Sequence, residues 1–274
     1  MQVGVSTASL FMRKYNEEAL PLFNDLGISV AEVFLTTYSE YGKPFAEKLL
    51  KVKGDIAVNS VHCLNTQFEP QLFSLHDRAR QDAFAWLDKL LESAEILGAP
   101  YYTFHGTARV KRASRSGVND DFSAMIRGFE AIANRCNSRG VTLALENVEW
   151  STYNRVGVFE RIAREVTTLR GVLDIKQARI SGEPYEKYLE EMGEKIAHVH
   201  ISDVNGEGKI CLPGRGNFDF DELVKRLISV GFDGALLIEV YKNDYEKERE
   251  LKTACEYIQE ILYKYGCANK NSAP

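Results

Sequence analysis

The sequence has little from which to build a disulfide framework. Its five cysteines, Cys63, Cys136, Cys211, Cys255 and Cys267, are odd in number, scattered, and never in a C-x-x-C pair. That spacing excludes a small stapled scaffold or a zinc knuckle and fits reduced thiols. No apolar run reaches the length of a membrane span, and Met1-Gln2-Val3-Gly4-Val5 has neither the basic nor the apolar region of a secretory leader. The expectation is a cytoplasmic protein with no membrane partner. Positive charge is not in excess: 34 Lys and Arg against 39 Asp and Glu leave a formal net charge of −5, which argues against nucleic acid as a partner. Low-complexity stretches and linkers are absent too, apart from a short polar tail over residues 267–274 after a domain spanning 1–266. What is present is ample apolar material, 45% of 274 residues, enough for the core of one domain.

Short strand-like runs alternate with longer segments of helical period. The runs cover residues 2–6, 30–35, 57–62, 101–105, 141–147, 172–175, 196–202 and 235–240. Over residues 122–136, Phe122, Met125, Ile126, Phe129, Ile132, Ala133 and Cys136 recur at three- and four-residue spacing, the pattern of one buried helical face. Gly27, Gly54, Gly98, Gly140, Gly171, Gly231 and Gly266 stand where helices should hand over to the next element. Asn16, Asp120 and Asp219 suit N-caps, and Pro184 a first helical turn. Eight strand-then-helix units without a break predict an α/β fold, a closed (β/α)8 barrel forming a single domain. A doubly wound open sheet is the alternative, but Ser6-Thr7-Ala8-Ser9-Leu10-Phe11 is not the Gly-rich phosphate loop such a sheet would place after its first strand.

In such a barrel, polar side chains at the carboxyl ends of the strands converge over the mouth. The third strand ends in His62, the fourth in His105, the fifth in Glu146, the sixth in Asp174, the seventh in His200 and the eighth in Glu239. Charged groups are rarely buried without a partner or a metal, so six successive strands delivering such residues to one end point to chemistry. Glu146, Asp174, His200 and Glu239 are three carboxylates and one imidazole, a set suited to a divalent ion such as Mn²⁺, Co²⁺, Mg²⁺, Fe²⁺ or Zn²⁺. Their mutual repulsion is itself a reason for a cation. In the alternating run Ala197-His198-Val199-His200-Ile201-Ser202, His198 shares the face of His200 one layer deeper and reads as a supporting residue. Glu32, on the second strand, reads as a buried structural partner.

Taken in order, Leu145-Glu146-Asn147, Asp174, His198-Val199-His200-Ile201-Ser202-Asp203, Leu212-Pro213-Gly214-Arg215-Gly216 and Ile238-Glu239 resemble the xylose-isomerase-like TIM barrel superfamily. Within it, the chain is most similar to the sugar phosphate isomerase/epimerase branch, which includes ketose 3-epimerases and inosose dehydratases. The resemblance implies one divalent metal ion held by Glu146, Asp174, His200 and Glu239, with Glu146 and Glu239 also serving as base and acid on opposite sides of a bound sugar or sugar phosphate. A metal chelating a carbonyl oxygen and the neighbouring hydroxyl acidifies the C–H between them and stabilises an enediolate. Returning the proton to the opposite face epimerises the carbon, returning it to the neighbouring carbon isomerises the sugar, and losing a β-hydroxyl dehydrates it. His62 and His105 look like the substrate-hydroxyl or supporting histidines of this superfamily, and Arg215 is placed for a hydroxyl or anion.

The chain also departs from its relatives. Ketose epimerases and nucleases of the endonuclease IV type usually carry a histidine three residues after the aspartate. Gln177 stands there, able to bind a sugar hydroxyl but a poor metal ligand. The epimerases' arginine after the acidic residue matching Asp203 is replaced by Val204-Asn205-Gly206. Cleavage of abasic DNA is a weaker alternative, since Asn217-Phe218-Asp219 lacks the Asp-x-His of that trinuclear site. A barrel that binds sugar or metal without turnover is a third. The cations Arg109, Lys111, Arg112 and Arg115 could capture an anionic substrate, sit on a solvated loop, or meet another copy of the chain in a homo-oligomer.

Overall fold

A computed structural model of the chain describes residues 1–64, 68–107 and 122–268. The eight strands expected from alternation are β1 (Gln2–Ser6), β2 (Val30–Leu35), β3 (Ala57–Cys63), β4 (Tyr101–Phe104), β5 (Thr142–Glu146), β6 (Arg170–Asp174), β7 (Ile196–Ile201) and β8 (Ala235–Ile238). Each pairs in parallel with its sequence neighbours, and β8 pairs with β1, which closes the barrel. Parallel neighbours need a crossover, and here helices supply it. They are α1 (Asn16–Asp25), α2 (Lys43–Val52), α3 (Asp77–Leu97), α4 (Phe122–Asn137), α5 (Val158–Glu165), α6 (Ile175–Ile180), α7 (Tyr185–Met192), α8 (Phe220–Ser229) and α9 (Arg249–Lys264). The main core lies between this ring and the barrel wall, with Phe23, Leu87, Leu91, Phe129, Ile132, Leu223 and Ile258 fully buried.

The helical face read over residues 122–136 is observed as α4, whose Phe129, Ile132, Ala133 and Cys136 are buried. Asp219 caps α8 by accepting from the Glu222 N–H at 2.9 Å. Three terminus readings need correction, one being Pro184, which is the extended residue capping α7 and not part of its first turn. Asn16 is the first helical residue rather than the cap: its amide bonds the Thr7 hydroxyl and donates to the Phe34 carbonyl, tying α1 to β1 and β2. Gly171 is not a helix end but lies within β6, where an added Cβ would come within 2.6 Å of Met192 Sδ. The glycine is there for close helix-on-sheet packing. Asp120, read as an N-cap, lies outside the described residues.

Short connections at the carboxyl end of the barrel hold the site in place. Asn147, just past β5, donates to the Asp174 carbonyl and accepts from the Asp174 N–H, at 2.9 and 2.7 Å, clamping β5 to β6. After β7, buried Asp203 accepts from the backbone N–H groups of Val204, Gly214, Gly216 and Phe218 at 2.7–3.0 Å. One carboxylate thereby shapes the loop that carries Arg215. Gly216 is required there, because a Cβ would come 2.3 Å from the Val204 carbonyl oxygen. Asp203→Asn keeps one acceptor oxygen and turns an amide NH2 toward two of the four backbone donors, so it should cost about 3 kcal/mol of stability, measured by urea unfolding.

Candidate active site

Period-two alternation puts Glu146 and Asp174, the last residues of β5 and β6, on the inner face of the barrel, together with His198 and His200 of β7. Glu239 follows β8 directly, and its N–H still donates to the Ile201 carbonyl at 3.0 Å, so it keeps the strand's direction. Ligand-capable atoms of Glu146, Asp174, His200 and Glu239 all lie within 4.8 Å of one another. His200 is the hub. Its Nδ1 is 2.9 Å from both Glu146 Oε1 and Glu239 Oε2, and its Nε2 is 3.1 Å from Glu32 Oε1.

Two further histidines complete one side. His62 and His105 form a second buried group with Glu146, their Nε2 atoms lying 3.9 and 3.4 Å from its Oε2. His62 Nδ1 is 3.0 Å from the Thr103 carbonyl and His105 Nδ1 is 3.0 Å from Glu69 Oε2. Each Nδ1 is thereby engaged while each Nε2 faces Glu146, and although burial opposes the charge of His105, Glu69 and Glu146 raise its pKa. The indole of Trp150 lies over His105, with ring centroids 5.0 Å apart.

Beneath the cluster, Glu32 accepts from the hydroxyls of Ser6, Ser60 and Thr103 at 2.6–2.9 Å and lies 3.4 Å from His198 Nε2. The Thr103 hydroxyl, already donating to Glu32, accepts from His198 Nε2 at 3.1 Å. Glu32 therefore does more than the structural pairing expected of it, since it ties the supporting histidine to His200.

The electrostatics follow from crowding. Burial opposes the imidazolium of His200, yet Glu239, Glu32 and Glu146 raise its pKa well above the ordinary value. Asp174 is pushed up to about 7 by burial, Lys176 pulling against it while Glu146 and Glu239 add to it. Burial also opposes the charge of Glu239, but His200 and Lys176 hold that carboxyl far below the usual range. His198 moves down, burial being the main cause.

Two residues of this site escaped sequence reading. Lys176 is buried with its Nζ 3.4 Å from Glu239 Oε1 and 3.7 Å from Asp174 Oδ2. The one available signal was an isolated lysine in Asp174-Ile175-Lys176-Gln177, two residues past a carboxylate. Glu69, fully buried, accepts from the Tyr102 hydroxyl at 2.6 Å and from the His105 N–H at 3.2 Å, and no motif marks it.

Two other expected site residues are not among the groups that converge within the cluster. Gln177 is buried, and its backbone N–H donates to Asp174 Oδ1 at 2.8 Å as the cap of α6. Arg215 is exposed, 4.0 Å from Glu250 Oε2. The cations Arg109, Lys111, Arg112 and Arg115 lie outside the described residues.

The closed ring of eight parallel strands and the helices around it define a class, the (β/α)8 barrels. Residues 21–261 match the xylose isomerase-like TIM barrel family, and the chain belongs to it. An inosose isomerase of Bacillus velezensis is 22% identical over 206 residues, 69% of this chain and 71% of that protein. Among solved structures, D-psicose 3-epimerase from Clostridium cellulolyticum H10 superposes with a TM-score of 0.77 at 17% identity, covering 96% of this chain and 99% of that one. The IolI protein with a bound zinc atom superposes with a TM-score of 0.76 at 16% identity, covering 97% and 99%. Among the described residues, no helix is long and apolar enough to cross a membrane.

Glu32→Ala would leave three hydroxyls and two imidazoles without their shared acceptor. It should cost about 4 kcal/mol in urea unfolding, whereas Glu32→Gln, which keeps an acceptor oxygen, should cost less than half of that.

Proposed function

We propose that the chain is a cytoplasmic, divalent-metal-dependent isomerase or epimerase of a sugar or sugar phosphate, acting by proton abstraction next to a carbonyl. The observation that carries this reading is the convergence of Glu146, Asp174, His200 and Glu239 within 4.8 Å at the barrel mouth. The residues fit a metal. Among the described residues, no hydrogen-bond donor is aligned on the buried Glu239 Oε2, and three carboxylates share the space. Three oxygens and one nitrogen suit Mn²⁺, Co²⁺, Mg²⁺, Fe²⁺ or Zn²⁺. When bound, such an ion would polarise the carbonyl and stabilise the enediolate left after deprotonation.

The chain's own residues would divide the remaining work. Glu32 Oε1, near His200 Nε2, is placed to accept a hydrogen bond from that nitrogen's N–H, which leaves the Nδ1 lone pair for the ligand role. Glu146 turns Oε1 toward His200 and Oε2 toward His62 and His105, so Oε2 is the oxygen to take the substrate proton. Glu239, directly after β8, faces the same space from another strand and would deliver to the carbon a proton drawn from solvent or a substrate hydroxyl, Glu146 then releasing the abstracted proton to solvent. The Nε2 atoms of His62 and His105 would accept from substrate hydroxyls, the carboxamide of Gln177 would contact a further hydroxyl, and Arg215 would meet a hydroxyl or phosphate farther out.

Epimerisation, isomerisation and β-elimination share this first step, so the test reads the step itself. Free and phosphorylated ketoses, inososes and 3-keto-glycosides are incubated in D₂O with Mn²⁺ and scanned for C–H exchange. One substrate class should exchange, with about one divalent ion per chain by elemental analysis. Glu146→Gln and Glu239→Gln should each slow exchange by about a hundredfold or more with the circular dichroism spectrum unchanged. Near-wild-type exchange in either variant removes that residue from the acid/base role, and incision of an abasic duplex would replace the reading altogether.

A further inference from the structure

Burying an ammonium group is expensive unless charged or polar groups meet it. Lys176 has a side chain only 1% exposed, and it is met by two of the four candidate ligands, Asp174 and Glu239, with the ring of Tyr241 4.5 Å from its Nζ. The placement follows from the chain path. β6 runs straight into α6, Asp174 caps that helix with Oδ1, and the first turn brings Lys176 back over the mouth. Its contact with Glu239 also selects an oxygen, for Oε1 faces Lys176 and Oε2 faces His200 Nδ1 at 2.9 Å.

Charge is the second consequence. Three carboxylates alone would attract the highest-charged cation available, whereas a permanent positive charge in contact with two of them leaves a net of two negative charges. A divalent ion neutralises that and a trivalent ion does not. We propose that Lys176 is a built-in counter-charge that positions Glu239 and sets the site's preference for divalent over trivalent cations. This rests on the reading of Glu146, Asp174, His200 and Glu239 as metal ligands. Glu146 is met by histidines instead, so the fixed cation acts from one side, on the Asp174 and Glu239 half of the site.

Coulomb repulsion between Lys176 and a bound ion scales with the charge of the ion, so removing the lysine must favour a trivalent ion more than a divalent one. Mn²⁺ binding to the full chain would be read by calorimetry and Tb³⁺ binding by luminescence, in wild type, Lys176→Met and Lys176→Arg. Lys176→Met should bind Mn²⁺ about tenfold more tightly and Tb³⁺ about thirtyfold more tightly, the larger gain following the larger ionic charge. Lys176→Arg, which keeps the charge, should stay near the wild-type ratio. Lys176→Gln, neutral but still able to donate to Glu239, supplies the same comparison if the methionine variant does not fold. Unchanged or weakened affinity for both ions in the folded neutral variants, or equal gains for the two, would overturn the role of Lys176. A wild-type chain that binds neither ion would overturn the metal reading, and this proposal with it.

Discussion

Like charges forced together are the constraint on which the rest of the structure depends. A closed barrel points the last inward residue of each strand at one small volume, and here β5, β6 and β8 bring Glu146, Asp174 and Glu239 there. Carboxylates at that separation repel strongly in a poorly solvated space, and every neighbouring group answers that repulsion. His200 sits between two of them, Lys176 touches two, and His62 and His105 approach the third. The clamps around the site have the same purpose. Asn147 joins β5 to β6, and Asp203 gathers the loop beyond β7, so the crowded side chains cannot relax apart by moving the backbone.

A second tier makes the first possible. Glu32 and Glu69 are fully buried carboxylates, each satisfied from several directions, and each reaches one of the site's imidazoles. On the proposed reading they would fix which imidazole nitrogen carries a proton and therefore which one is left as a ligand or acceptor. The division of labour is uneven. His62, His105 and His200 surround Glu146, while Glu239 shares only His200 and is met on its other oxygen by Lys176, so two glutamates of the same kind are placed in different electrostatic surroundings.

Much of this was legible in the sequence because strand periodicity is simple. Alternation in Ala197-His198-Val199-His200 assigned the two histidines to one face, and the last inward residue of successive strands named the four members of the cluster. Lys176 was not legible, because its position depends on a six-residue helix that starts at once after β6 and turns the side chain back over the mouth. Glu69 arrives from a 3-10 segment, Glu69–Phe73, whose docking is purely tertiary. Gly171 was misread for the opposite reason. Glycine before a new element resembles a helix end in sequence, and only the proximity of Met192 reveals a packing role.

The central claim is that Glu146, Asp174, His200 and Glu239 form one cation site. Crystals soaked in Mn²⁺ and measured at the manganese absorption edge test it most directly. The account predicts a single anomalous peak with all four side chains at about 2.0–2.3 Å. A strongest peak held by His62 and His105 away from Asp174 and Glu239, or no peak in the barrel mouth at saturating Mn²⁺, would contradict it.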